Sequence, residues 1–520
     1  MIRRTRLGVA LLLAVAVLGA ASTSGGSAES SSDLPEKVRE IMGKKRYAHA
    51  RWAMLVADSE SGDVEFSLEP DTFMIPGSNA KLYSMSTALD ALGPDYRFET
   101  PVYATGPVDA ATIAGDLVLV ASGDLVLGGR GATEGVISYE NFDHNDANAI
   151  PGATLTPEDP LAGLDDLAAQ VAASGVTAVA GDVVIDDRLF ETDMEMNPET
   201  PTTPIMVNEN VIDLLTTPTA AGEPAEFTWR PQTATYQVQS TVTTVEAGGT
   251  TDIEVDATDG AITVTGTIAA DSDPLLMVQQ VDDPAAFART AFIEALARAG
   301  VTVGAPATGP NPEALLPDAS SYADDARLAV LESPPFEDYL TLVMKVSLNL
   351  GANLAICLMA VQSGSTDCDD GFAVMNDFLK KAGVDPKHVA FTTGQGGKRS
   401  DLVTPQATVD LVRYWEGTDV FDVFKDSLPV LGVDGSLTGV AADTPAKGKV
   451  FAKTGTLVDA DLVNQRLLLG AKALGGYMRA NGRWYVFGLY VNNGTANGIS
   501  DILEINEDLG QITAALRADL

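Results

Sequence analysis

The strand signals of this chain gather at its two ends, and that separation constrains the fold more than any other feature. Near the amino end, Arg51 to Asp58 is apolar and strand-like. Ser59-Glu60-Ser61-Gly62 turns the chain, and Asp63 to Leu68 can pair back as a hairpin. At the carboxyl end, Val450 to Leu457, Arg466 to Leu469 and Gly476 to Arg479 read as strands. Asn481-Gly482 is a two-residue hairpin turn before Arg483 to Val491. A last helix runs from about Ser500 to Leu516, with Ile502, Leu503, Leu509, Ile512 and Leu516 apolar. The expected result is an antiparallel sheet between helices drawn from both ends, with the middle of the chain inserted into that unit.

From about Phe98 to Arg327 the composition shifts to Thr, Val, Gly, Ala and Asp in short alternating stretches. Asp159-Pro160 opens a predicted helix that closes at Gly175, and Asp283-Pro284 opens another that closes at Gly300. A strand-like run, Gly181 to Asp186, follows the first helix. Phe227 to Val264 alternates around Gly248-Gly249 and reads as a nested β unit. Residues 29–97 and 328–520 are therefore expected to form one domain. Residues 98–327 are expected to form an inserted strand-and-helix region with a β-rich part at about 205–275.

A chain of 520 residues is too long for one ordinary domain, which agrees with this division. The first 28 residues are set apart from it. Arg3, Arg4 and Arg6 precede an apolar run from Leu7 to about Ala21 and small residues, a secretory signal pattern. The run is short for a membrane span, so a secreted, extracytoplasmic protein with no transmembrane segment in the mature chain is expected. The formal net charge of −39 opposes nucleic-acid binding. It also means that an anionic ligand needs a local cation at its site. Two cysteines, Cys357 and Cys368, are compatible with a disulfide or with buried thiols. With three histidines and no HExxH or paired CxxC, no metal site and no cofactor is expected.

Three short motifs stand out. Ser78-Asn79-Ala80-Lys81 opens a segment in which Leu82, Met85, Leu89 and Leu92 would share one helix side. Ser347-Leu348-Asn349 opens another helix, and Lys453-Thr454-Gly455 sits in a strand, followed by Thr456. Helix positions three apart lie on one face about 5–6 Å from each other, so Lys81 can reach Ser78 unaided. A serine hydroxyl needs a base to become a nucleophile. Lysine serves only where its ammonium is disfavoured by burial or by another cation, and Lys453 is a candidate for that cation. The Ser78 and Thr456 backbone N–H groups are candidates for an oxyanion hole. Each motif alone is unremarkable; order, placement and neighbours give the set its weight.

Those neighbours resemble one family over essentially the whole chain from about Glu36. Met74-Ile75-Pro76-Gly77-Ser78, Leu92-Gly93-Pro94-Asp95-Tyr96-Arg97-Phe98 and Gly115-Asp116-Leu117-Val118-Leu119-Val120 are similar to the D-alanyl-D-alanine carboxypeptidase/endopeptidase family of low-molecular-mass class C penicillin-binding proteins. So are Asn208-Glu209-Asn210-Val211, Gly394-Gln395-Gly396, Val403-Thr404-Pro405 and Asp434-Gly435-Ser436-Leu437. The gap of 269 positions from Ser78 to Ser347 suits a family that carries extra domains there. The resemblance implies an α/β (α+β) fold: a transpeptidase/β-lactamase-like core of antiparallel sheet flanked by helices, with a large inserted region forming two smaller domains.

It further implies a serine DD-peptidase acting on D-Ala-D-Ala-type bonds in peptidoglycan stem peptides and acylated by β-lactams. Ser78, Lys81, Ser347, Asn349 and Lys453 would be catalytic, and Thr454, Gly455 and Thr456 would bind substrate. A β-lactamase or esterase on the same core, and a non-catalytic peptidoglycan-binding protein, are the competing readings. Several residues depart from the family pattern: Gly77, Val343, Leu348, Asn353, Gln395, Gly397 and Lys398. None removes a catalytic atom in these roles. A histidine-based triad finds no support: His49, His144 and His388 lie in no such context and are expected to be surface or structural.

Overall fold

The computed structural model describes residues 34–149, 152–198, 200–323 and 325–520. The predicted signal segment lies outside the described residues. Two hairpins, one from each end of the chain, meet in one sheet. Its strands are β1 (Arg51–Asp58), β2 (Val64–Leu68), β3 (Val450–Asp461), β4 (Arg466–Ala480) and β5 (Arg483–Ala496). Their order is β2-β1-β5-β4-β3, antiparallel throughout. The β1–β5 ladder sets Ala53 opposite Tyr490 and so joins the two ends of the chain. Asn481 and Gly482 both have positive φ, +48° and +83°, as a tight hairpin turn of this hand requires.

The residue pattern predicts two short strands at 466–469 and 476–479. The structure has one continuous strand, β4. Gly470, Gly475 and Gly476 break the side-chain alternation and so read as a loop. They serve close packing instead: a Cβ on Gly476 would meet the Phe451 carbonyl oxygen at 2.2 Å.

Helices cover both faces: α1 (Glu36–Met42), α2 (Lys81–Leu92), α3 (Phe336–Lys345), α4 (Asn349–Gln362), α5 (Pro405–Glu416) and α6 (Ile499–Asp519). On one face Val38 and Ile41 of α1 and Ile505, Leu509, Ile512 and Leu516 of α6 pack on Met54, Val56, Leu474, Met478 and Leu489. On the other, Leu82, Leu340, Val343, Ile356 and Leu411 pack with Ala53, Leu55, Tyr477, Val486 and Tyr490. Helix α2 lies in the middle of this layer. Every residue from Lys81 to Leu89 is buried, not only the predicted apolar side. Its polar groups find partners inside: Ser84 Oγ donates to Gly394 O at 2.8 Å, and Trp415 Nε1 donates to Ser86 Oγ at 2.9 Å. Cys357 and Cys368 are joined in a disulfide that ties α4 to the start of the next helix.

Between the ends, strands Ala326–Glu332, Glu99–Ala104, Leu117–Val120 and Val183–Asp186 form a four-stranded sheet in that order. Helices Ala162–Ala173 and Pro284–Arg298 share a separate apolar core with it. Asp283 caps the second helix as predicted, accepting from Ala286 N at 3.0 Å, with Pro284 at its first position. A three-stranded sheet (Glu226–Arg230, Val211–Thr217, Leu275–Gln280) and a four-stranded one that includes Ala261–Ala269 lie within this stretch. We propose on these sheets and cores that the chain divides into an outer domain and an inserted region.

Candidate active site

The Ser78 turn, Gly77–Ala80, leads directly into α2, and Lys81 is the first residue of that helix. Lys81 Nζ donates to Ser78 Oγ at 2.8 Å, to Asn349 Oδ1 at 2.7 Å and to Gln395 O at 3.4 Å. Lys453 on β3 donates to Ser347 Oγ at 2.8 Å and to Thr454 O at 3.0 Å. Both lysines are fully buried, whereas Ser78 and Ser347 are half-buried and Asn349 is exposed at the rim. Two hydroxyls and two amino groups from three distant segments thus line one cleft. Ser347 has φ +63°, a strained conformation for a non-glycine residue, immediately before α4.

Asn79, to which the motif assigns no role, clamps the site. Its Nδ2 donates to Lys453 O at 2.8 Å, and its Oδ1 accepts from Tyr490 OH at 2.7 Å. Nothing in the motif itself flags this role; it requires the sheet to be assembled. The approach of β3 to the Ser78 turn is very close. A Cβ on Gly455 would lie 1.9 Å from Pro76 O. Gly77, one of the departures from the family pattern, has φ +54°, and a Cβ there would meet Thr456 N at 2.6 Å. The Thr456 backbone nitrogen therefore sits beside Ser78. Thr454 Oγ1 pairs with Ser436 Oγ at 2.7 Å.

The other departures have structural roles. Leu348 and Val343 are buried in the helical layer. Asn353 Oδ1 accepts from Gly394 N and Gln395 N, both at 3.1 Å, and so aims the Gln395 carbonyl toward Lys81. Lys398 Nζ donates to Glu195 O of the inserted region at 2.6 Å.

Near the cleft the inserted region carries a buried charge network. Arg130 bonds both carboxylate oxygens of Asp143 at 2.9 and 2.6 Å and also pairs with Glu209. His144 contacts Glu209 at 2.6 Å and Asp213 at 2.8 Å. Burial pushes the imidazole down, but these two carboxylates outweigh it and raise its pKa to about 10. With both ring nitrogens protonated, the 2.9 Å approach of Arg130 Nη2 to Nε2 is a contact between donors, balanced by the surrounding carboxylates. Ligating atoms of Asp143, His144 and Glu209 lie within 4.8 Å of one another, and Arg130 pairs with both carboxylates. The network holds a loop that reaches the cleft: Asn145 Nδ2 donates to Val346 O at 3.3 Å, and Asn141 Oδ1 accepts from Gly435 N at 2.7 Å.

A serine beside a buried lysine, with backbone N–H groups and a second lysine across the cleft, can carry out acyl transfer. With an antiparallel sheet packed between helices, this is the arrangement of a serine-based acyl-transferring enzyme. The chain belongs to the D-Ala-D-Ala carboxypeptidase 3 (S13) family, whose model matches residues 34–516. It is 29% identical to the D-alanyl-D-alanine carboxypeptidase of Actinomadura sp. (strain R39), over 93% of this chain and 85% of that protein. It is 22% identical to the D-alanyl-D-alanine carboxypeptidase DacB of Haemophilus influenzae, over 74% of this chain and 76% of that protein. The crystal structure of penicillin binding protein 4 (dacB) from Haemophilus influenzae shares the fold. Its TM-score is 0.68 at 19% identity, covering 91% of this chain and 98% of that one.

Proposed function

We infer that the protein is a serine DD-peptidase that cleaves D-Ala-D-Ala-type bonds in peptidoglycan stem peptides. The observation that carries this reading is the 2.8 Å hydrogen bond from Lys81 to Ser78, set across the cleft from the Lys453–Ser347 pair. Ser78 Oγ attacks the carbonyl of the penultimate D-Ala while Lys81 takes its proton. The Ser78 and Thr456 N–H groups hold the oxyanion. Ser347, hydrogen-bonded to Lys453, relays the proton taken by Lys81 to the leaving amine, and the C–N bond breaks. Asn349 holds Lys81 in place through its carbonyl oxygen, and Thr454 and Gly455 line the strand along which the substrate lies. Water then attacks the acyl ester and frees Ser78.

The same acyl-enzyme chemistry makes β-lactams covalent inhibitors. Among the described residues no helix is long and apolar enough to cross a membrane. The amino-terminal signal pattern supports export to the cell envelope, where peptidoglycan lies. Digestion of purified peptidoglycan tests the assignment. The intact enzyme should release D-alanine or open crosslinks, and Ser78→Ala should do neither. Equal product from both proteins would refute it.

A further inference from the structure

The end of α3 that leads into Ser347 is held by a loop from the inserted region. Val346 is the C-cap of α3, so its carbonyl has no partner within that helix. Asn145 Nδ2 supplies one, donating to Val346 O at 3.3 Å. The other end of that amide, Oδ1, is buried with no partner among the described residues. The Val346 contact therefore decides which way the amide faces, because the reverse would set two acceptors together. A second contact braces the same segment. Asn141 Oδ1 accepts from Gly435 N at 2.7 Å, and a Cβ on Gly435 would meet Lys345 O at 2.7 Å. Lys345 Nζ also bonds both carboxylate oxygens of the adjoining Asp434, at 2.9 and 2.8 Å.

This bracing acts on a residue that needs it. Ser347 has φ +63°, and a non-glycine residue stays in that region only where its surroundings hold it. Val346 O and the Ser347 nitrogen belong to one planar peptide unit. Holding the oxygen fixes the plane from which that φ is measured. In this conformation Ser347 Oγ accepts from Lys453 at 2.8 Å, which leaves its own proton for an acceptor in the cleft. The loop is tied in turn to the inserted region, Asp143 by Arg130 and His144 by Asp213. Within five residues the chain thus grips both the region that carries it and the segment that carries Ser347.

Resting on the DD-peptidase reading, we propose that Asn145 and Asn141 are positioning residues through which the inserted region holds Ser347 in the geometry that delivers a proton to the leaving amine.

The leaving group provides the test. An amine needs that proton as the C–N bond breaks. A thiolate, the anion of a group with pKa about 8.5, leaves without one. The full-length enzyme is assayed on an acylated peptide ending in D-Ala-D-Ala and on the matching thiolester, with kcat/KM as the readout of acylation. Asn145→Ala should lower kcat/KM on the peptide about 10-fold, the worth of one ordinary hydrogen bond. On the thiolester it should stay within about twofold. Asn141→Ala, which frees the Gly435 side of the brace, should show the same peptide-selective loss, and it decides the matter if Asn145→Ala folds poorly. Ser347→Ala should show that selectivity with a larger loss. Equal losses on both substrates in the asparagine variants, or no loss, would overturn the bracing role alone. A Ser347→Ala enzyme without the selectivity would overturn the relay and the bracing with it. Failure of the unmodified enzyme to turn over the peptide would overturn the DD-peptidase reading itself.

Discussion

Replacing Gly455 by alanine should separate the two halves of the catalytic cleft. The new Cβ would lie 1.9 Å from Pro76 O and 2.9 Å from Asn79 N. Carbon–oxygen contacts settle near about 3.3 Å, so β3 and the Ser78 turn must part by roughly 1.4 Å. That movement draws the Thr456 N–H away from Ser78 and stretches the 2.8 Å bond from Asn79 to Lys453 O. A displacement of about 1 Å at reacting groups costs on the order of 100-fold, and losing one oxyanion donor costs about 100- to 1,000-fold. Overpacking costs about 1–3 kcal/mol of stability, which a folded domain can absorb. The assay is the second-order acylation constant with a fluorescent penicillin, with near-ultraviolet circular dichroism as the check on folding. Gly455→Ala should acylate at least about 100-fold more slowly. Gly498→Ala, where an added Cβ meets nothing within 4 Å, should match the unmodified enzyme. A folded Gly455→Ala protein acylated within threefold of the unmodified rate would refute the close approach of strand and turn.

Arg130→Met would leave the buried carboxylates of Asp143 and Glu209 without their guanidinium. It should cost about 3–5 kcal/mol in denaturant unfolding of the inserted region, and a loss under about 0.5 kcal/mol would contradict the network's structural role. His144 has its folded pKa raised from 6.5 to about 10. Its contribution to stability is therefore complete below about pH 6.5 and is lost as pH rises through about 10. Unfolding free energy measured from pH 6 to 10.5 should fall more steeply for the unmodified protein than for His144→Gln, and parallel curves would contradict the imidazolium assignment.

The motif residues were legible because their chemistry is local. Ser78 and Lys81 are one helical turn apart, and Lys453, Thr454, Gly455 and Thr456 are consecutive in a strand. The sheet was legible from its ends, since Arg51–Asp58 and the Asn481-Gly482 hairpin carry plain strand and turn signals. Other parts depended on assembly. Glycines at 470, 475 and 476 hide the middle of β4. The full burial of α2 follows from its position within a helical layer, which its own periodicity does not report. Asn79 has its role because β3 and β5 pass beside it. The Arg130 network joins residues from separate loops, and no spacing in the sequence announces it.

Peptide mapping by mass spectrometry after incubation with a penicillin is the most direct test of Ser78 as the nucleophile served by Lys81. The acyl group should be found on the peptide that carries Ser78 and should be absent from the Ser78→Ala protein. An acyl group on another residue, or none in protein shown to be folded, would contradict that assignment.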